Sequence, residues 1–225
     1  TVFQPIRDLE TDHPLGFEAL TRFADGRAPD AVLAEAQATD RAVELDAALV
    51  RAALSTARDL PADAWVSVNV SAALAGRPDL LWADLAEASR PVVVELTGGP
   101  GTDPGEWISS LPPNLLVAVD DAGAGYDSLA LVETLRPAFI KLDRTTVTGI
   151  EIDAARQAFV GTLVAFAEEH GCQVIAEGVE TDGERLALVD AGVGLGQGYL
   201  LGRPMPVERT LDDRPSSGAT PVGSH

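Results

Sequence analysis

Carboxylate, amide and amino side chains recur along this sequence at or near the ends of short apolar segments. They are Glu18, Asn69, Glu95, the adjacent Asp120 and Asp121, Lys141, Asp143, Glu177 and Gln197. Carboxylates gathered in one place resist ionising together unless cations neutralise them. Oxygen donors of these types suit Mg²⁺, Mn²⁺ or Ca²⁺, and an aspartate pair suits two ions about 3.5–4 Å apart. Each residue taken singly could be a solvated strand-end or helix-capping group. Their recurrence over seven segments favours one divalent-metal site, and two-metal sites favour phosphoester hydrolysis.

Lys141 is the only lysine in the chain, whereas the other 15 of its 16 cationic residues are arginines. It lies in the apolar segment Ile140-Lys141-Leu142-Asp143, next to acidic residues. A compact ammonium group at this position would hold a water molecule or stabilise developing negative charge. Otherwise it is a lysine without a special role or a buried ion-pair partner.

Short apolar segments alternate with longer helical ones, a pattern typical of a parallel sheet covered by helices. The predicted strands are Val2–Asp8, Gly16–Leu20, Trp65–Ser71, Val92–Thr97, Leu115–Asp121, Ala138–Asp143, Gln173–Glu177 and Val193–Leu200. The predicted helical segments are Asp30–Leu60, Ala72–Ser89 and Asp153–His170, the last beginning at Asp153. Eight strands predict a closed barrel, in which the strand ends that carry the polar residues meet at one mouth.

The first connection, Leu9–Leu15, is shorter than the crossover of about a dozen residues that parallel strands need. The first two strands are therefore expected to pair antiparallel, which gives an α/β fold: a modified TIM-type (β/α)8 barrel with the first strand antiparallel. We predict one domain over residues 1–207. Residues 208–225 have few core-forming side chains and are predicted to be a disordered tail or linker.

The composition is that of an acidic globular protein, with 46% hydrophobic residues and a net charge of −19 over 225 residues. This charge repels DNA, RNA and anionic membranes, so a phosphate-bearing ligand would need metal ions to enter. A single cysteine, Cys172, and three histidines exclude an internal disulfide and offer no zinc ligand set. No apolar run approaches the roughly 18 residues of a membrane span. We expect a cytoplasmic location, and the absence of a starting Met fits the cytosolic part of a larger protein.

Several motifs, in this order and spacing, resemble the EAL-domain family of phosphodiesterases, which hydrolyse the bacterial second messenger cyclic di-GMP. The motifs are Phe3-Gln4-Pro5-Ile6, Glu18-Ala19-Leu20-Thr21-Arg22, Val68-Asn69-Val70-Ser71, Glu95-Leu96-Thr97, Asp120-Asp121, Ile140-Lys141-Leu142-Asp143, Ala176-Glu177-Gly178-Val179-Glu180-Thr181 and Gln197-Gly198-Tyr199-Leu200. The resemblance covers residues 2–207, nearly the whole chain. It implies a phosphodiesterase domain whose product is the linear dinucleotide pGpG.

The resemblance also implies a role for each polar residue. The implied ligands of a first metal ion are Glu18, Asn69, Glu95 and Asp120. Asp120 would bridge to a second ion, which Asp121 and Glu177 would also hold. Lys141 and Glu177 would position or deprotonate the attacking water, so that Glu177 has two implied roles. The implied nucleotide and phosphate contacts are Gln4, Leu20, Arg22, Asp143, Glu180 and Gln197.

Further expectations concern cofactors and partners. Two Mg²⁺ or Mn²⁺ ions are the implied cofactors, and Ca²⁺ is expected to inhibit. The implied assembly is a homodimer, and a sensory or diguanylate cyclase domain outside this chain is an expected neighbour.

Two departures from the family pattern bear on turnover. The family usually has a second glutamate three residues after the position of Glu95, where this chain has Gly98. The loop from Asp120 to Ser128 lacks one aromatic and one hydroxyl residue usual in the family, and has Ala122 and Ala124 at those positions. A loosened loop would weaken the second metal site, the coupling of the dimer or turnover, so activity is expected to be low or dependent on a regulatory partner. A cyclic di-GMP receptor without hydrolysis is the main competing function. A protein-interaction domain without ligand and an enolase-like barrel with a lysine base are less favoured by these residues.

Overall fold

The fold is a closed barrel of eight strands surrounded by helices, in a computed structural model that describes residues 1–96, 103–112, 114–120 and 126–210. The strands are β1 (Val2–Asp8), β2 (Pro14–Leu20), β3 (Trp65–Val70), β4 (Val92–Leu96), β5 (Leu115–Val119), β6 (Phe139–Leu142), β7 (Gln173–Glu177) and β8 (Leu195–Gln197). Strand β1 is antiparallel to both β2 and β8, and all other neighbouring strands are parallel. The predicted TIM-type barrel with an antiparallel first strand is confirmed.

Helices connect most of the strands and cover the outside of the barrel. They are α1 (Pro29–Ala38), α2 (Ala42–Thr56), α3 (Ala72–Ala75), α4 (Pro78–Ala86), α5 (Pro104–Ser110), α6 (Tyr126–Leu135), α7 (Arg144–Val147), α8 (Ala154–Glu169), α9 (Asp182–Asp190) and α10 (Val207–Thr210). Short 3₁₀ turns occupy Ala57–Asp59 and Ile150–Ile152. Asp153 begins α8 as predicted, since its carboxylate accepts hydrogen bonds from the backbone N–H groups of Ala155 and Arg156 at 3.0 and 3.1 Å.

Two predicted helical segments are each divided into two helices. The segment over 30–60 breaks at Asp40, whose φ of 54° lies in the left-handed region. The N–H of Arg41 then donates back to the carbonyl of Ala36 at 2.8 Å, which closes α1. The segment over 72–89 breaks after Gly76, and Pro78 begins α4, because proline has no N–H to continue a preceding helix.

Every second side chain of a strand points into the barrel. Successive inward-facing positions form two layers, an apolar floor and a polar layer. The buried floor residues are Ile6, Val93, Ala118, Phe139, Ile175 and Leu195. Trp65 packs against them, with its ring stacked on Phe139 at a centroid distance of 5.0 Å. Gly16 pairs with Trp65 on the neighbouring strand and leaves space for the indole, since a Cβ there would lie 2.3 Å from ring atoms. The floor fills the barrel at one end, and the polar layer faces the other.

Strand β8 ends at Gln197, three residues before the predicted end at Leu200. Gly198 leaves the sheet and crosses the backbone of Val179, where a Cβ on Gly198 would lie 2.1 Å from the carbonyl oxygen. Val179 N–H donates to the carbonyl of Gln197 at 3.0 Å, and Leu200 N–H donates to that of Val179 at 3.1 Å. These loop hydrogen bonds replace the strand pairing that the apolar sequence predicted.

The chain beyond β8 returns to β1. Phe3 and Met205 exchange two backbone hydrogen bonds of 2.7 and 2.9 Å. Helix α10 then buries Val207 and Thr210, so the predicted domain boundary after Val207 falls inside a helix. The folded domain therefore extends at least to Thr210, and the rest of the predicted tail, 211–225, lies outside the described residues. Across the described ranges, none of the helices combines the length and apolar character that a membrane crossing requires.

Candidate active site

The polar layer lies at the carboxyl ends of the parallel strands, where the register sets predicted site residues side by side. Gln4 pairs with Glu18, Asn69 with Glu95, and Glu177 with Gln197. Residues two apart on a strand face the same side of a sheet. Five site residues on strands therefore follow a floor or glycine position two places earlier and point into the barrel: Glu18 after Gly16, Glu95 after Val93, Lys141 after Phe139, Glu177 after Ile175, and Gln197 after Leu195.

The ammonium group of Lys141 lies among three carboxylates. Its Nζ is 2.6 Å from Glu177 Oε1, 2.7 Å from Glu95 Oε2 and 3.5 Å from Glu18 Oε2. The lysine side chain is only 2% exposed, and a charge buried to this extent needs such partners. The geometry agrees with the buried ion-pair interpretation of this lysine, and it places a cation where the carboxylates meet.

Burial and the charge cluster shift the pKa values at this site. Burial acts to lower the pKa of Lys141, but Glu95, Glu18, Glu177 and Asp120 together raise it well above its ordinary value. Burial, reinforced by Glu18, raises the pKa of Glu95 to about 7 against the opposing effect of Lys141. Burial also raises the pKa of Glu177, again opposed by Lys141. Glu177 is thus a stronger base than an ordinary glutamate, and its side chain is 24% exposed at the mouth.

Amide side chains fix the orientation of Glu18. Asn69 Nδ2 donates to Glu18 Oε1 at 3.1 Å, and Gln197 Nε2 donates to Glu18 Oε2 at 2.5 Å. Gln197 Nε2 also donates to Gln4 Oε1 at 3.1 Å, and Gln4 Nε2 donates to the carbonyl of Gly202 at 3.0 Å. The network links β1, β2, β3 and β8 across the mouth. Gln197 Oε1 is buried and has no hydrogen-bond partner among the described residues, so it is an acceptor available inside the site.

The donor chemistry of the mouth fits divalent ions that prefer oxygen ligands. Glu18, Asn69, Glu95 and Asp120 lie on β2, β3 and β4 and directly after β5, and each carries a side-chain oxygen. Among the residues that the structure describes, no three His, Cys, Asp or Glu side chains form a ready metal-binding group. Asn69 is not one of these residue types, and the carboxylates of Glu18, Glu95 and Glu177 already contact the ammonium group of Lys141. Asp121, another predicted ligand, lies outside the described residues.

Leu20 and Arg22 border a cavity next to the buried cluster. The cavity has a volume of about 830 Å³, and Asn69 also lines it. Arg22 is exposed, and its guanidinium donates to the carbonyl of Thr21 at 2.7 Å. A cationic side chain thus lies beside a space large enough for part of a nucleotide.

Asp143 and Glu180 are not part of the buried cluster. Asp143 caps α7, because its carboxylate accepts from the backbone N–H of Thr145 at 2.7 Å. Glu180 forms an ion pair with Arg144 at 2.8 Å. Both side chains are engaged in fixing the segments that follow β6 and β7.

Two buried carboxylates near the site were not predicted from the sequence. Asp46 on α2 accepts from the backbone N–H of Ser71 at 3.0 Å, two residues after Asn69. Burial raises the pKa of Asp46, against the hydrogen bonds from Ser71. Glu184 on α9 accepts from backbone N–H groups of the segment after β7. The spacing Thr181-x-x-Glu184 is a capping-box pattern that could have identified the second residue. No comparable signal distinguishes Asp46 from a solvated acid.

Comparisons with known proteins agree with this fold. The family model of the EAL domain matches residues 1–204. The cyclic di-GMP phosphodiesterase RocR of Pseudomonas aeruginosa is 41% identical over 96 residues, which cover 43% of this chain and 24% of RocR. BlrP1 of Klebsiella pneumoniae, solved with cyclic di-GMP and either calcium or manganese, is 31% identical with a TM-score of 0.81, and the match covers 91% of this chain and 55% of BlrP1. The cyclic di-GMP complex of the PaMucR phosphodiesterase is 29% identical with a TM-score of 0.80, covering 92% of this chain and 97% of that one.

The chain spans a quarter or less of the length of the first curated relatives, with 24% of RocR and 14% of the bifunctional protein MucR of P. aeruginosa. The family match nevertheless extends over nearly all of the barrel, including every strand and the polar mouth. This chain belongs to the EAL domain family.

Proposed function

We propose that this domain hydrolyses cyclic di-GMP to pGpG with two Mg²⁺ or Mn²⁺ ions. The observation that carries the proposal is the single lysine of the chain, buried at the barrel mouth within 3.5 Å of Glu18, Glu95 and Glu177. This arrangement combines potential metal ligands, a base and a fixed cation in one place. RocR, a cyclic di-GMP phosphodiesterase, and BlrP1, solved with cyclic di-GMP and calcium or manganese, support the choice of substrate and metal class.

Glu18, Asn69, Glu95 and Asp120 would hold the first ion, and Asp120, Asp121 and Glu177 would hold the second. The chemistry that such ions supply is a lowered pKa for bound water and neutralisation of phosphate charge. Neutralisation matters here because a chain with a net charge of −19 otherwise repels an anionic substrate.

Lys141 and Glu177 are the proposed catalytic residues. Glu177 would take a proton from the attacking water, and Lys141 would hold that water and offset the negative charge developing on the phosphate. Water adds across one P–O3′ bond, the 3′ oxygen leaves as a hydroxyl group, and the ring opens to pGpG. The proposed nucleotide and phosphate contacts are Gln4, Leu20, Arg22, Asp143, Glu180 and Gln197.

Chromatography of cyclic di-GMP after incubation with the protein tests this proposal. We expect pGpG with Mn²⁺ or Mg²⁺ and inhibition by Ca²⁺. Glu18→Ala and Asp120→Asn should abolish hydrolysis while circular dichroism shows a retained fold, because both side chains are proposed metal ligands. Glu168→Gln changes one exposed carboxylate of α8 and should keep full turnover. Turnover in either ligand variant would contradict the metal assignment.

A receptor without catalysis is the second candidate, favoured by Gly98 in place of the usual glutamate. Binding of cyclic di-GMP without any pGpG in Mn²⁺ or Mg²⁺ would support that function instead. Failure to bind at any divalent-ion concentration would exclude both candidates.

We also propose a homodimer in the bacterial cytoplasm, as part of a larger protein. The relative MucR, which is both a diguanylate cyclase and a cyclic di-GMP phosphodiesterase, supports the presence of further domains. Light scattering should give twice the 23.5 kDa of this chain, and a mass of one chain would exclude the dimer.

A further inference from the structure

Helix α9 carries a buried carboxylate that the proposed chemistry does not use. Glu184 is 4% exposed, and both of its carboxylate oxygens accept backbone hydrogen bonds. Glu184 Oε2 accepts from the N–H groups of Glu180 at 2.8 Å and Thr181 at 3.0 Å. Glu184 Oε1 accepts from the N–H of Gly149 at 3.3 Å. A buried carboxylate requires such donors, so its position is fixed by all three.

Only part of this arrangement belongs to helix capping. Thr181 and Glu184 form a capping box, in which Thr181 Oγ1 accepts from Glu184 N–H at 3.1 Å and Glu184 accepts from Thr181 N–H. The bonds to Glu180 and Gly149 lie outside the box. Gly149 precedes the 3₁₀ turn at Ile150–Ile152, in the connection that follows β6 and α7. Glu184 therefore joins two successive βα connections.

The two connections carry the proposed catalytic pair at their starts. Lys141 lies on β6 at the beginning of one, and Glu177 ends β7 at the beginning of the other. Arg144, in the connection after β6, forms an ion pair of 2.8 Å with Glu180, in the connection after β7. Gly178, with φ of 69°, packs directly on the Arg144 side chain, where a Cβ would lie 2.4 Å from Cγ. The connections are thus in contact near the site, and Glu184 ties them together farther along.

We propose that Glu184 is a positioning residue, which fixes the connection after β7 against the connection after β6 and so holds Glu177 at its 2.6 Å contact with Lys141. This inference rests on the proposed hydrolase function. Displacement of a catalytic group by about 1 Å can lower turnover about 100-fold, far more than it changes substrate binding. Loss of a helix cap, in contrast, lowers stability without moving the pair.

Three variants separate positioning from capping. Glu184→Gln keeps the shape but puts an amide NH₂ against backbone N–H groups, so at least one bridge is lost. Thr181→Ala removes the other half of the capping box and leaves the carboxylate of Glu184 in place. Asp182→Asn, also on α9, removes the same charge from a side chain that is 76% exposed and is the control.

The measurements are kcat and KM for cyclic di-GMP with Mn²⁺, the melting temperature, and hydrogen exchange of individual backbone amides. In Glu184→Gln we expect kcat to fall about 10- to 100-fold with KM changed less than about threefold. The amide oxygen can keep the two shorter bonds from Glu180 and Thr181, which leaves the NH₂ facing Gly149, so exchange should accelerate selectively at Gly149. Thr181→Ala should lose comparable melting temperature, with kcat within about threefold of wild type and Gly149 still protected. Asp182→Asn should match wild type in kcat, KM and exchange, with only a small loss of melting temperature from its exposed pair with Arg185.

Equal losses of kcat in Glu184→Gln and Thr181→Ala at equal loss of melting temperature would overturn the proposal, as would unchanged exchange at Gly149 in Glu184→Gln. A wild-type protein that forms no pGpG would refute the proposed hydrolase function separately. The exchange data would then decide the bridge alone: selective loss of protection at Gly149 in Glu184→Gln would support it, and equal protection in all variants would exclude it.

Discussion

Lys141→Met tests whether one buried ammonium group holds the carboxylates of the mouth together when metal is absent. Methionine has a similar length and no charge, so the variant removes the contacts of 2.6, 2.7 and 3.5 Å to Glu177, Glu95 and Glu18 with little change in packing. Glu95 and Glu18 have side chains only 1% and 8% exposed, so water cannot replace the lysine. Their charges would remain buried and close together.

The expected loss of stability follows from these contacts. Removing one partner of a buried ion pair costs about 3–5 kcal/mol. The variant can escape part of this cost by protonating Glu95, whose pKa of about 7 would rise further without the ammonium group. We therefore expect a net loss of about 3 kcal/mol at pH 8. The loss should shrink toward pH 6 by up to about 1.4 kcal/mol per pH unit for each extra proton that the variant binds.

Urea unfolding in EDTA at pH 6 and pH 8 measures both values. Arg51→Met is the control, because Arg51 forms a half-exposed ion pair with Asp84 at 3.3 Å and should cost less than about 1 kcal/mol. Excess Mn²⁺ should restore part of the stability of Lys141→Met, since an ion that binds only the folded state adds about 2.7 kcal/mol at 100 times its Kd. A variant as stable as wild type at pH 8 in EDTA, or one whose loss is the same at both pH values, would refute this account of the mouth.

Three further predictions concern stability. In EDTA, the free energy of unfolding of the wild-type domain should fall by about 3 kcal/mol between about pH 4.5 and 8. The reason is that folding raises the pKa of Glu95 to about 7, so the folded state binds more protons than the unfolded state in this window. A free energy of unfolding that rises with pH in a series of urea titrations would contradict the prediction. Gly198→Ala should lower the stability of the domain by about 3 kcal/mol or more, because the new Cβ would meet backbone atoms 2.1 Å away. The control Gly194→Ala, where a Cβ would have nothing within 4 Å, should lower it much less. Equal melting temperatures of the two variants would show the contact to be unimportant. Asp46→Ala should lower the stability of the domain by about 1–3 kcal/mol, because the N–H of Ser71 loses its acceptor. Asp46→Asn keeps an oxygen at that position and should lower the stability less in thermal melts. Equal losses in the two variants would exclude the hydrogen bond as the cause.

The strands and their polar ends could be predicted because one physical constraint sets both. A strand in a closed barrel alternates between the interior and the helices, so polar residues such as Glu95 and Lys141 within apolar runs can only lie in the interior or at its mouth. The short turn before Pro14 likewise permits only an antiparallel first pair. These features depend on local sequence, which is why they could be read without the structure.

Other features depend on contacts between distant segments. The end of β8 is set by the backbone of Val179 against Gly198, and although a glycine there can indicate a close backbone contact, the sequence does not show which segment makes it. The break between α1 and α2 depends on the positive φ of Asp40, a conformation that aspartate adopts only in some contexts. The capping-box spacing marks Glu184 as a residue of a helix start, but its hydrogen bond to Gly149 becomes visible only when the two loops are placed. The structure was also needed to separate the buried site residues from those outside the cluster, such as Asp143, which caps α7.

Among the described residues, the stacked rings of Trp65 and Phe139 belong to an apolar layer that closes the barrel interior below the polar mouth. In the part of the chain that the structure describes, a molecule reaches Lys141 from the mouth, because the apolar floor fills the interior beneath it. Anchoring the protein by its opposite end should therefore leave access intact. The segment 57–64 precedes β3 at that end, and Arg90 braces it by donating to the carbonyls of Leu60, Pro61 and Ala64. Since the native Cys172 is only 4% exposed, a cysteine introduced at the exposed Asp63 offers a site-selective handle for attaching the domain to a sensor surface with its opening toward the solution.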